Sequence, residues 1–90
     1  METGKRLILH TEADLVIASV AAGAEIDTAI TVVGAEPGHV AMVSAPSLEG
    51  GLIASAFVSD VDEVTIRVSN VSAGGVDPAD QDFIVAVTQD

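Results

Sequence analysis

The sequence predicts an all-β chain: a single small antiparallel β-sandwich or jelly-roll-like domain of about seven strands. Three observations carry that expectation. Apolar residues recur with a period of two, the spacing of a strand with one buried face. Clusters of Gly, Pro, Asp and Asn interrupt these runs roughly every 8–12 residues, as in an all-β domain. The apolar mass, 49% of the chain with only 2% aromatic, is Ala, Val, Ile and Leu. Such small and β-branched side chains fill thin, flat sheets well. No segment combines good helix formers with the i, i+3, i+4, i+7 spacing of an amphipathic helix.

Taken in order, residues 5–10 and 15–20 are the first two candidate strands. Residues 27–33, DTAITVV, set Ile30 and Val32 on one side. The stretch 38–60, GHVAMVSAPSLEGGLIASAFVSD, reads as strands 39–45 and 52–58 around a turn at 46–51. In the first, Val40 and Met42 alternate with Ala41 and Val43. In the second, Ala54 and Ala56 alternate with Ile53 and Phe57. Both faces are apolar or small, the pattern of strands covered on two sides. The opposite sheet is one expected cover, and another copy of the chain is the other.

Residues 63–70, EVTIRVSN, give the clearest alternation, with Val64, Ile66 and Val68 opposed to Thr65, Arg67 and Ser69. Residues 77–82, DPADQD, fit a single helical turn with Pro78 in its first turn. The closing strand, DFIVAVTQ, places Phe83, Val85 and Val87 on one side and Ile84 and Ala86 on the other. Residues 1–12 form an N-terminal arm or edge strand, and residues 13–90 the sandwich.

Composition narrows function. Ninety residues allow one domain with a modest core. Fourteen acidic residues against Lys5, Arg6 and Arg67 give a net charge of −11. Phosphate backbones and anionic membranes repel such a chain, so nucleic acid and membrane are excluded as partners. High acidity also suits a saline environment, where salt screens self-repulsion. No apolar run reaches the length of a membrane span, and the opening METGKRLILHTEADL lacks a signal-peptide core. Without cysteine, the chain has neither disulfides nor thiolate metal sites. Small domains lacking those staples often gain stability by oligomerising.

The candidate chemistry is sparse. His10 and His39 are the only histidines, and their spacing enforces no metal site; hydrogen-bonded or solvated roles are expected. Asp60, Asp62 and Glu63 cluster in one turn, and Asp77, Asp80 and Asp82 in another. These are weak candidates for calcium, which takes six to eight oxygen ligands. Neither cluster has EF-hand spacing, and solubilising loops are the simpler expectation. There is no nucleophile elbow and no phosphate-binding glycine loop, and sugar-binding aromatic platforms are missing with Trp and Tyr. No enzymatic activity is expected, and no cofactor.

The order of segments resembles small β domains in structural proteins of tailed viruses, of the head-decoration, head-fibre or tail-fibre type. In those, an AAG turn precedes a TxTVxGA strand. Next come a GD-V-VSxP strand, a GL…A-VS strand, an xVTVRVxNVTAGxVDPA segment and a closing xVxV strand. The corresponding stretches here are residues 21–23, 28–35, 38–46, 51–59, 63–79 and 83–87, so the resemblance covers nearly the whole chain. His39 stands where that pattern usually has Asp. The chain also ends at Asp90 without a stalk, which favours a free-standing capsid protein over a fibre fragment.

The resemblance implies a virion structural protein on the capsid exterior: a homo-oligomer, often a trimer, that binds the viral capsid or another virion protein. Leu7, Ile8, Leu9, Val40, Met42, Ile53, Ala54, Ala56 and Phe57 are the candidates for core or subunit contacts. Two alternatives stay open: a carbohydrate- or calcium-binding adhesion module, and a solitary halophilic β-domain.

Overall fold

The computed structural model describes residues 6–45 and 48–89. Within them lie six strands and no helix: β1 (Arg6–Leu15), β2 (Glu25–Thr31), β3 (Val40–Ser44), β4 (Leu52–Asp60), β5 (Glu63–Asn70) and β6 (Gln81–Gln89). They form two three-stranded antiparallel sheets, ordered β1-β6-β3 and β2-β5-β4. Packed face to face they make an all-β sandwich, elongated at 50 × 22 × 21 Å.

The core lies between the two central strands. Val64, Ile66 and Val68 of β5 face Phe83, Val85 and Val87 of β6, all buried. Period-two alternation dictates this, because one face of each strand carries its branched apolar residues and turns them the same way. Register extends the core sideways. Ile26, Thr28 and Ile30 of β2 stand beside Val68, Ile66 and Val64, with Ala54, Ala56 and Val58 of β4 on the far side. In the other sheet, Ala41 and Val43 of β3 and Ile8 of β1 flank Val87 and Val85 on the inner face.

Six strands replace the expected seven because residues 15–20 do not form one. β1 runs on to Leu15 through a register shift after Glu12, where Asp14 adopts a positive φ of 50°. Beyond it, the buried residues are Ile17 and Val20, three apart rather than two. That spacing belongs to an irregular crossing strap, held by paired backbone hydrogen bonds between Val20 and Val76 (2.8 and 2.9 Å). The helical turn expected at 77–82 is also absent. Pro78 is buried, and the Ala79 amide donates to Glu49 Oε2 at 3.0 Å instead of to a helical carbonyl.

The two strands of the 38–60 stretch exist, but in opposite sheets, so their connection crosses the sandwich rather than closing a hairpin. Pro46 and Ser47 in that connection lie outside the described residues. Each strand has one covered face and one exposed face in the single chain. Ala41, Val43, Ala54 and Ala56 turn inward, whereas Val40, Met42, Ile53 and Phe57 stay exposed.

The one buried asparagine organises the loop after β5. Asn70 Nδ2 donates to the carbonyls of Val20 and Gly74 at 2.9 Å each, and its Oδ1 accepts from the Ser72 amide and hydroxyl. Ser72 in turn presses on Gly51. A Cβ added to Gly51 would lie 2.8 Å from Ser72 Cβ, at a φ of +88° that disfavours any side chain. Gly51→Ala is therefore expected to destabilise the fold by about 1–3 kcal/mol in denaturant unfolding. Gly50→Ala, whose added Cβ meets no atom within 4 Å, should stay within about 0.5 kcal/mol of the wild type.

Candidate functional site

The sandwich has two outward faces, and they differ in chemistry. On the β2-β5-β4 sheet the cross-strand rows are Glu25–Ser69–Ile53, Asp27–Arg67–Ser55, Ala29–Thr65–Phe57 and Thr31–Glu63–Asp60. This face is polar and internally paired. Arg67 donates from Nε to Asp27 Oδ1 at 2.8 Å and from Nη2 to Oδ2 at 3.0 Å, a two-pronged pair. Its guanidinium also lies 5.3 Å from the Phe57 ring centroid, so one side chain ties together all three strands. A hydroxyl chain beside it runs from Thr65 to Ser59 (2.7 Å) and on to Glu63 (2.8 Å).

On the β1-β6-β3 sheet the rows are Leu7–Thr88–Val40, Leu9–Ala86–Met42 and Thr11–Ile84–Ser44. None of these nine positions carries a charge. Leu9 is 69% exposed, Leu7 60%, and Val40 and Met42 54% each, with Ile84 at 45%. The large side chains stand along the two edge strands and at one end of β6, while Ala86 leaves the centre low. Among the described residues, charge returns at one end of the face, where Asp82 accepts the Asp14 amide at 3.0 Å. This uncharged apolar sheet face, on a chain of net charge −11, contrasts with the paired polar face opposite.

The nine contact candidates read from the sequence therefore separate. Leu7, Leu9, Val40 and Met42 come together on this face. Ile8 turns inward, with its Cδ1 3.0 Å from where a Cβ on Gly34 would stand. Ala54 and Ala56 line the inside of β4, and Ile53 and Phe57 lie on the opposite, polar face. Ile84 and Ala86, not among the nine, share the uncharged face. The signal was present in DFIVAVTQ, whose second face is as apolar as the first.

Three residues of the acidic clusters, Asp60, Asp62 and Asp82, hold the chain's own backbone. Asp62, at φ 61° in the β4–β5 turn, accepts the Gly34 amide at 2.8 Å through its carboxylate. Its backbone also exchanges hydrogen bonds with Val32 and Ala35. Asp60 accepts the Val61 amide and Glu63 the Ser59 hydroxyl, both at 2.8 Å. Asp77 and Asp80 are exposed, and Asp82 serves Asp14. Among the described residues, no three His, Asp or Glu side chains converge on one point, and no pocket is enclosed. The two histidines stay apart: His10 Nε2 pairs with Glu12 at 2.8 Å, and His39 Nδ1 accepts the Glu36 amide at 3.3 Å.

No family model, no curated protein and no solved structure matches the chain.

One electrostatic consequence is testable. The hydrogen bonds from Arg67 hold the Asp27 carboxyl below the ordinary carboxylate range; partial desolvation opposes the shift and the Arg67 charge adds to it. Because the folded-state pKa lies below the unfolded one, the pair's contribution is complete above the ordinary Asp value of 3.8. It is lost as pH falls through the lowered value. The Tm gap between wild type and Asp27→Asn should be widest at neutral pH and close as pH falls below the ordinary Asp range. A gap that persists unchanged into acid would contradict the pairing.

Proposed function

We propose that the chain is a structural assembly module, a virion surface protein that assembles by burying the outer face of the β1-β6-β3 sheet. The observation that carries this reading is the uncharged apolar character of that face, set against an acidic remainder. Apolar burial would supply the association, since the core of a protein contact is depleted of charge. The polar face, with its Asp27–Arg67 pair, would remain in solvent with the acidic loops and keep the particle surface hydrated. The viral context rests on the order of segments in the sequence, and the mode of assembly on the face.

The calcium-binding alternative is disfavoured by the hydrogen bonds that Asp60, Asp62 and Glu63 already accept from two backbone amides and a serine hydroxyl. The virion role predicts that this chain is present in purified particles of the virus that encodes it, by mass spectrometry, and that antibodies against it label their outer surface. Its confinement to the non-particle fraction would overturn the reading. Millimolar calcium, added at constant ionic strength, is expected to leave the Tm unchanged. A saturable rise would restore the adhesion-module reading.

A further inference from the structure

We infer that the occupant of the uncharged face is the same face of a second copy of this chain, related by a two-fold axis running across the strands. The inference rests on the docking role just proposed for the face and names its partner. Three observations support it.

The first is size. Leu7, Leu9, Val40, Met42 and Ile84 together expose on the order of 500 Å² per copy, so pairing two faces buries about 1,000 Å², where specific interfaces begin. The second is charge. Each copy carries −11, so contact through the polar sheet or the loops brings carboxylates together. Contact through the nine uncharged positions keeps them at the rim. A two-fold axis across the strands also sets the Asp82 end of one copy over the opposite end of the other, so the two Asp14–Asp82 corners stay apart.

The third is shape. The face is three strands wide and centred on Ala86, with Leu9 and Met42 raised on either side. No pocket indents it among the described residues, so its cover is another protein surface, and two-fold pairing of identical patches is the commonest closed arrangement of identical chains. Because only like charges at the rim oppose the pairing, added salt should tighten it.

The test is light scattering coupled to size exclusion on the full chain, over a concentration series at low and high salt. Wild type, Leu9→Glu, Met42→Glu and Ile53→Glu are compared, with unfolding midpoints confirming that each variant folds. The expected result is a species of twice 9.1 kDa, favoured by salt. Pairing should weaken roughly 100-fold in Leu9→Glu and Met42→Glu, because each buries an unpaired charge. Ile53→Glu, on the polar face, should leave it intact.

A wild type that stays monomeric at every concentration overturns the second copy as occupant, while the docking role of the face survives. A dimer that persists in both Leu9→Glu and Met42→Glu overturns the inference and the docking role together. A three-copy mass that these two variants dissolve overturns the two-fold arrangement and keeps the face.

Discussion

Everything in this molecule depends on the contact between β5 and β6. These are the central strands of their sheets, and each presents three consecutive inward side chains: Val64, Ile66 and Val68 against Phe83, Val85 and Val87. Burying a side chain of this size is worth about 1.5–3 kcal/mol. Branched aliphatic side chains and the Phe83 ring fill the space between the sheets. Ala41, Ala54 and Ala56 line the inner faces of the flanking strands.

A thin core leaves the outer faces to be decided by other forces, and this chain decides them differently. On one sheet, Arg67 gathers Asp27 and Phe57 across three strands, satisfying its charge locally while remaining hydrated. Such an exposed pair adds modest stability and marks the face as one meant for water. On the other sheet, the rows centred on Thr88, Ala86 and Ile84 offer no charge and no internal polar pairing. Under the proposed assembly this difference has a physical reason: the uncharged face is covered and the paired face stays in water.

The sequence was most legible where period two was cleanest. EVTIRVSN and DFIVAVTQ became β5 and β6 with the expected residues inside, and the fold class followed from them. It was misleading where apolar residues sit three apart. Ile17 and Val20 are buried as firmly as any strand residue, yet they anchor a strap that pairs only at Val76. The DPADQD segment failed as a helix because tertiary contacts at Pro78 and Ala79 outweighed its local signal. Sheet membership was not legible either. Val40 and Ile53 look alike in a two-sided apolar pattern, and only the register against β6 and β5 sends them to opposite sides of the molecule. For the same reason the nine candidates scatter: Ile8, Ala54 and Ala56 turn inward, and Ile53 and Phe57 lie on the polar face. Four of the nine candidates share the uncharged face, and Ile84 and Ala86 complete it through their pairing with Thr11, Ser44, Leu9 and Met42.

The central claim is that this face, and not another, is covered when the molecule assembles. Methyl-labelled protein in the presence of a soluble paramagnetic agent tests it directly, because exposed methyl groups relax faster than covered ones. At concentrations where the protein assembles, the Leu9, Met42 and Ile84 methyls should be shielded. Those of Ile53, Val33 and Val61, exposed elsewhere on the surface, should relax rapidly. Equal relaxation of both sets, or shielding of Ile53 with Met42 left exposed, would contradict the account.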